Sequence, residues 1–355
     1  MQIRGNEVFS FAYDKEWLTG KLALLLDPDL GLYPGPQYIR EVKPNFGLFT
    51  DSSPDRWGRV LMERREAIRA REEDQKPKKL TESDYLLGVY DVYRMGGLRF
   101  KLDKAGPFLD NNQDMPTPPF SSIRSLEEAS LQLEKKDAEK NPAFKKWLRL
   151  LLLPGASLGG ARPKASITGP NGKLWIAKFP SRGDQWDTGA WEWVVNRLAA
   201  KAGVNTAKAM AKKLTQEWHT FLTERFDREN SLNSRHIHFA SAMTLLGYTD
   251  GADATMGVSY LQIAEFILRQ GAAPDKDLEE FWRRIVFNKA VSNTDDHLRN
   301  HGFLLNSNGW LLSPAYDMNP IPDSGGLTLN ISEFSNTLDL DIAREVSAKF
   351  RVSLN

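Results

Sequence analysis

The sequence predicts an α+β chain in three consecutive parts: a β-rich part over residues 1–145, a mixed part over 146–230 and an all-helical part over 231–355. Three observations lead there. Val8-Phe9-Ser10-Phe11-Ala12-Tyr13 reads at the two-residue period of a strand. Lys173–Phe179 and Trp218–Leu222 are short apolar runs that stop at charged residues, as strands of a mixed sheet do. From His236 to Phe287 the pattern turns helical, with apolar residues returning every three or four positions over Tyr260–Arg269 and Leu278–Ala290.

Composition narrows the class. A chain of 355 residues with 41% hydrophobic and 10% aromatic side chains can bury substantial cores and reads as a folded, soluble protein. It has no cysteine, which excludes disulfides and thiolate metal sites. The longest apolar run, Leu148 to Leu153, is too short to cross a bilayer, and Met1 is not followed by a basic-then-apolar signal pattern, so no membrane association and a cytoplasmic address are expected. With a formal net charge of +1, no overall field favours nucleic acid.

In the first part, Asp14 to Trp17 reads as a turn, Leu22 to Leu26 as a second apolar segment and Pro34-Gly35-Pro36 as a loop. Asp51-Ser52-Ser53-Pro54 reads as a helix start, with Pro54 in the first turn and Asp55 near its positive end. The helix then continues from Trp57 to about Glu73. Its arginines (Arg56, Arg59, Arg64, Arg65, Arg69, Arg71) alternate with Glu63, Glu66, Glu72 and Glu73, which argues for a solvated face with intrahelical pairs rather than a nucleic-acid face. Lys101 to Pro119 is a loop, and Ser125 to Lys136 an amphipathic helix.

The second part opens on a glycine-rich stretch, Pro154 through Ile167. Paired glycines let backbone N–H groups approach an anion closely, and Arg162 and Lys164 add positive charge beside them, although an ordinary glycine turn explains the same residues. The strand Lys173–Phe179 then presents Lys178 at its end, and the helix Trp186–Ala202 carries Glu192 in its first half. An ion pair between Lys178 and Glu192 would hold the lysine in place. The plain alternatives are a solvated strand-end lysine and a surface glutamate near a helix N-terminus.

The third part carries the chemistry, in Asn293-Thr294-Asp295-Asp296-His297-Leu298-Arg299-Asn300 and the later Ala315-Tyr316-Asp317. Between them, Gly302–Leu305, the turn Asn306-Ser307-Asn308-Gly309 and Trp310–Leu312 read as a hairpin, which would return Asp317 to the neighbourhood of Asn300. Protein kinases orient a hydroxyl and hold metal on a transferring phosphate with an Asp and an Asn in the spacing D-x-x-x-x-N and a later Asp. Asp295, Asn300 and Asp317 have that arrangement. A chance D-x-x-x-x-N in a loop is common, so the weight lies with the whole set, Lys178 and Glu192 included. The set predicts a bilobal protein-kinase-like fold preceded by an additional N-terminal domain, with a hinge where Trp218–Leu222 runs into Thr223–Arg228.

Together these motifs resemble, over nearly the whole chain, the HipA-type serine/threonine kinases, the toxins of bacterial type II toxin–antitoxin modules. Phe9-Ser10-Phe11 through Trp17 and Ser53-Pro54-Asp55-Arg56-Trp57-Gly58-Arg59 resemble the family's N-terminal domain. Ser157–Lys164 resembles its phosphate loop, Thr223–Arg228 its hinge, and Asn293–Asn300 with Ala315-Tyr316-Asp317 its catalytic core. The resemblance implies Asp295 as catalytic base, Lys178 as the lysine on the nucleotide phosphates, and Asn300 and Asp317 as Mg²⁺ ligands. It places Ser157, Leu158, Gly159, Gly160, Ala161, Arg162 and Lys164 around the ATP phosphates, Glu224 and Phe226 at the adenine end, and His297 among the nucleotide-binding positions. Ser157 falls where family members autophosphorylate and inactivate themselves.

ATP and Mg²⁺ are the cofactors so implied. The partners are a HipB-like helix-turn-helix antitoxin, operator DNA reached through it, and an aminoacyl-tRNA synthetase as protein substrate, notably the glutamyl enzyme. Family members continue with further helices beyond a segment like Asn330–Glu333, whereas this chain ends at Asn355. Asp296 is a like charge beside the base and is expected to point away or to cap a helix. Two other readings use the same residues: a small-molecule kinase, and a catalytically idle corepressor subunit. The N-terminal part and the Ser157 loop speak against the first, and the intact set Lys178, Asp295, Asn300 and Asp317 against the second.

Overall fold

The computed structural model describes residues 2–3, 6–20, 25–39, 43–110, 117–155, 160–215, 217–229 and 235–353. The chain is mixed helix and sheet, and its contacts form two units, each discontinuous in sequence. One comprises residues 52–193 and 208–236, the other 1–51, 194–207 and 237–355, so they cut across the three consecutive parts read from the sequence.

In the first unit four antiparallel strands run in the order Lys164–Thr168, Leu174–Lys178, His219–Glu224, Ala209–Lys213. Both expected strands are present, and Lys178 stands opposite Phe221 on one side and Lys164 on the other. The helices Arg56–Glu72, Ile123–Leu133 and Phe144–Gly155 share a core with this sheet. Leu126, Ala129 and Leu133, and Phe144, Leu148 and Leu151, recur at the three-to-four spacing of a buried helix face. Each such Leu or Phe contributes about 1.5–3 kcal/mol when fully buried. They meet Ala165, Ile167, Trp175, Ala177 and Leu222 of the sheet.

The charged segment after His219–Glu224 is buried. Arg225 and Arg228 both pair with Asp227, at 2.6 and 2.7 Å, and their terminal nitrogens also reach the carbonyls of Val92, Tyr93 and Arg94. Burial works to raise the Asp227 pKa, but the two guanidiniums and the Gly96 N–H hold the carboxyl well below its usual range.

The second unit is built on the helices Tyr260–Gln270 and Pro274–Ala290. Tyr260, Ile263, Ala264 and Ile267 pack with Leu278, Phe281 and Ile285. Pro274 occupies the first turn of its helix, where a missing N–H costs nothing. The all-helical expectation fails here: Phe239–Ser241, Gly302–Asn306 and Gly309–Leu312 form a three-stranded antiparallel sheet with Gly302–Asn306 in the middle. Phe239–Ser241 is buried at every position, so it shows no alternation to mark it as a strand. The other two strands are the expected hairpin, with Asn306 opposite Gly309.

Nor is the N-terminal part β-rich among its described residues. Its strands Gln2–Ile3, Asn6–Glu7, Ser10–Phe11 and Gln37–Tyr38 have two residues each. An aromatic cluster does the packing: Phe11 meets Tyr13, Phe46 and Phe49, with ring centroids 4.8–6.3 Å apart. The expected turn at Asp14–Trp17 is a helix, Lys15–Thr19, because the Asp14 carboxylate accepts the Glu16 N–H and caps it. Asp51 ends a helix, Gly47–Asp51, rather than starting one; the cap of the long arginine-rich helix is Asp55, bonded to Gly58 N at 2.9 Å, with Pro54 ahead of it. Leu22–Leu24 lies outside the described residues. Among the described residues no helix is long and apolar enough to cross a membrane.

His236, in the first unit, bonds Gly96 O at 3.1 Å and is pushed down to about 4 by burial and by Arg228, with Asp227 opposing. The imidazole is therefore neutral in the fold, while the unfolded chain takes up a proton near pH 6.5. Stability is expected to be level above that pH and to fall as pH drops toward 4, because the unfolded state then binds more protons. Thermal midpoints measured from pH 7 to pH 4 should fall less steeply for His236→Gln than for the unaltered chain; parallel slopes would rule the linkage out.

Candidate active site

The helix Pro274–Ala290 ends on Val291, and Ser292 takes a left-handed φ of 54° that turns the chain into the loop 293–300. Asn293 fixes this loop at both ends. Its N–H and side-chain amide reach back to the Asn288 carbonyl and Oδ1, at 2.9 and 3.1 Å, while its own Oδ1 accepts the N–H of Asn319 at 3.1 Å. Ser292 O accepts the N–H of Ile321 at 2.8 Å. These bonds stitch the segment after the hairpin to the loop before it, and that segment holds Asp317, at a left-handed φ of 58°. The hairpin thus does what the spacing predicts. Asp295, Asn300 and Asp317 come to one place, close enough that the Asp317 charge acts on Asp295.

Asp295 is exposed, whereas Asn293, Thr294, Asp296, Leu298 and Asn300 are buried, so the proposed base alone turns to solvent among them. Partial burial raises its pKa first; Asp317 and Asp296 push the same way and His297 opposes them. Asn300 donates its side-chain amide to the Asp295 carbonyl at 2.8 Å and its N–H to the His297 carbonyl at 2.9 Å. Tyr316, next to Asp317, donates its hydroxyl to Arg299 O at 2.6 Å.

Asp296 does point away from Asp295, into the core, and does not cap a helix. It is buried, and Oδ2 accepts Tyr260 OH at 2.8 Å and Asn288 Nδ2 at 2.7 Å, with His301 Nε2 at 3.2 Å. Burial works to raise its pKa, yet His301, Tyr260 and Asn288 hold the carboxyl below its usual range. The sequence reading gave no role to Tyr260, Asn288, Asn293 or His301. The available signal was the doubled acid at 295–296, since two adjacent carboxylates in a tight loop face opposite ways. A further unforeseen contributor is Asp51, which accepts the N–H and hydroxyl of Ser241 at 2.7 and 2.8 Å. Ser241 pairs with Gly302, two residues beyond Asn300.

In the other unit Lys178 Nζ lies 2.6 Å from Glu192 Oε1, the expected ion pair, and 5.8 Å from the centroid of the Phe221 ring. The two strand-paired lysines diverge: Lys164 is buried and reaches Asp55 at 3.2 Å. Gly160 has φ 93°, and a Cβ there would fall 2.8 Å from Lys164 Nζ, so only glycine fits without moving the lysine. Arg162 engages Asp184 with both guanidinium nitrogens and Thr188 at 3.3 Å. Ser157, Leu158 and Gly159 lie outside the described residues. Glu224 takes Lys173 and Asn171, at 2.8 and 2.9 Å, and Phe226 is half-buried.

Among the described residues no cluster of three or more His, Asp or Glu side chains is gathered for a metal ion. The donors at hand are the Asp317 carboxylate and the Asn300 amide oxygen, both hard oxygen ligands of the kind Mg²⁺ takes in small number alongside substrate phosphates. Two further observations fit a charged ligand here. Asp295 and Asp317 repel each other, which a cation would relieve, and His297 Nδ1 is buried with no hydrogen-bond partner among the described residues.

Residues 156–352, more than half of the chain, match the HipA-like C-terminal domain family, and the chain belongs to that family. Over 341 residues it is 26% identical to "Putative kinase Y4mE" of Sinorhizobium fredii, covering 87% of this chain and 71% of that protein. Over 143 residues it is 30% identical to "Putative kinase" of Haemophilus influenzae; that match takes in 38% of this chain and only 42% of the Haemophilus protein. Among solved structures, the Shewanella oneidensis complex of HipA, HipB and operator DNA has a chain that superposes with a TM-score of 0.63 at 17% identity, over 97% of this chain and 79% of that one. At that identity the likeness establishes the fold.

Asp296→Ala is expected to leave Tyr260 OH, Asn288 and His301 without their shared acceptor inside the core, at about 1–3 kcal/mol for each buried group stranded. Urea unfolding should show the loss as a lowered midpoint at unchanged slope, with Asp296→Asn intermediate; equal midpoints would show that the carboxylate holds nothing.

Proposed function

We propose that this chain is an MgATP-dependent serine/threonine protein kinase and the toxin of a toxin–antitoxin module. The observation that carries the reading is the meeting of Asp295, Asn300 and Asp317, held by Asn293 and the hairpin. Membership of a family whose curated relatives are named as kinases supports it. Asp295, the solvent-facing acid, accepts the proton of a substrate serine or threonine hydroxyl and orients that hydroxyl. Lys178, steadied by Glu192, takes up charge on the ATP phosphates, with the Gly160–Lys164 backbone beside them. Asn300 and Asp317 would hold Mg²⁺, which when bound would supply further neutralisation of phosphate charge. Glu224 and Phe226 mark the adenine end.

The partner reading is a HipB-like antitoxin with operator DNA reached through it, supported by the fold shared with a chain of the Shewanella complex. The substrate reading, an aminoacyl-tRNA synthetase, and the cytoplasmic address rest on the family resemblance. A small-molecule kinase would instead label small alcohols in preference to lysate proteins.

Asp295→Asn and Asp317→Asn should each lower transfer of labelled phosphate to lysate proteins by about a hundredfold or more, with far-ultraviolet circular dichroism unchanged. Undiminished labelling by either variant would falsify the assignment. Incubation with MgATP should also place a phosphate on Ser157, seen by mass spectrometry. Its roughly 1.5–2 negative charges beside a loop meant for anionic phosphates should weaken ATP binding, and Ser157→Ala should keep it. Persistent ATP affinity in the phosphorylated chain would count against this self-limiting role.

A further inference from the structure

The helix Thr188–Lys201 divides sharply into a covered face and an open one. Glu192, Val195, Asn196 and Ala199 are buried, and Val195 and Ala199 pack with Val204, Phe287, Ala315 and Met318. The open face is apolar: Trp191 is 50% exposed, Val194 36% and Leu198 47%. Trp186 and Trp193 are exposed beside them, so five of the fifteen exposed large apolar side chains among the described residues fall between positions 186 and 198. Single apolar residues at a surface are ordinary, but a cluster of this kind marks a contact.

Asp187, Trp191, Val194, Leu198 and Lys201 follow one another at four, three, four and three residues. At 3.6 residues per turn this spacing keeps them on one side of the helix, within about 80° of arc, which is the seam of a coiled coil. The seam is also symmetric about its middle. Asp187 stands seven residues before Val194 and Lys201 seven after it, while Trp191 stands three before and Leu198 four after. A second copy laid antiparallel on this face sets Val194 on Val194, each Trp191 beside a Leu198 and each Lys201 beside an Asp187, the self-complementary contact that a two-fold axis requires. Lys201 is exposed and has no ionic partner among the described residues. The Asp187 carboxylate accepts the N–H groups of Ala190 and His219, at 3.1 and 2.9 Å, and keeps 21% of its side chain exposed. A parallel pair would instead set like charge on like.

We propose that the open face of this helix docks a second copy of the chain, antiparallel, in a homodimer with Val194 on the two-fold axis. An unrelated partner gives no reason for charge and bulk to be balanced about one residue; a second copy does. A single helix pair is a small interface, so the dimer is expected to exchange with monomer and to depend on protein concentration. Glu192, which holds Lys178, lies on the buried side of the same helix, so the contact leaves that ion pair untouched. The proposal stands apart from the kinase reading, and its test needs no activity.

The chain has no cysteine, so one introduced thiol reports on the contact. Under mild oxidation the full chain carrying Val194→Cys should cross-link to a covalent dimer about tenfold faster than one carrying Ala200→Cys, which is also exposed but lies about 120° round the helix. In sedimentation velocity over a concentration series, the unaltered chain should pass from its 40.2 kDa monomer to a dimer. Val194→Glu, which sets two carboxylates face to face on the axis, should stay monomeric with unchanged circular dichroism. Lys201→Glu should dimerise about tenfold more weakly, and high salt should narrow that gap. Monomer at every concentration, with equal cross-linking of the two thiols, gives the face to another partner or to solvent and overturns the proposal. A dimer that Val194→Glu leaves intact is built elsewhere on the chain and overturns it as well.

Discussion

The arrangement at the candidate site depends on one buried carboxylate. Asp296 gathers donors from the start of one helix, Tyr260, from the body of another, Asn288, and from the start of a strand, His301, and all of them belong to the same unit. A carboxylate taken out of water is costly unless its lone pairs are filled, so this one admits a single backbone path through residues 293–300. With that side chain turned inward, its neighbour at 295 is turned outward, to solvent. The adjacent acids are thus one device: the inner one fixes the orientation of the outer one.

The return of Asp317 follows from a second set of bonds. A hairpin alone brings its two ends together but leaves the direction of the chain beyond them open. Here Ser292 O and Asn293 Oδ1 accept the N–H groups of Ile321 and Asn319, so the residues around Asp317 are held from their far side. The left-handed φ at Asp317 costs of order 1–3 kcal/mol in a non-glycine residue. The surrounding bonds impose it, and its consequence is a carboxylate set against Asp295 rather than away from it.

Much of this was legible in the residues. The strand ending at Lys178, the helix bearing Glu192 and the hairpin 302–312 follow from apolar period and turn chemistry, and the ion pair follows from placing them. The misreadings share a cause. Val8–Tyr13 has the aromatic content of a strand, yet Phe11 packs on Phe46 and Phe49 and only Ser10–Phe11 finds a partner strand. Phe239–Ser241 is a strand with nothing in its composition to say so. Asp51 and Asp55 are equally good capping residues, and only the tertiary demand of Ser241 decides which of them caps. Local pattern marks an element's type; the partner that claims each polar group is settled by residues far along the chain.

The cations near the glycine-rich stretch make the same point. Arg162 has both ends of its fork on Asp184, and Lys164 is buried against Asp55. A phosphate recruiting either must displace a carboxylate that is already hydrogen-bonded, which sets the gain of one charge-assisted bond against the loss of another. Lys178 likewise lies 2.6 Å from Glu192 Oε1, an ion pair that holds the lysine in place. Positive charge in sequence is therefore a poor guide to anion binding in this stretch: each of the three cations that reading singled out already has a carboxylate partner in the fold.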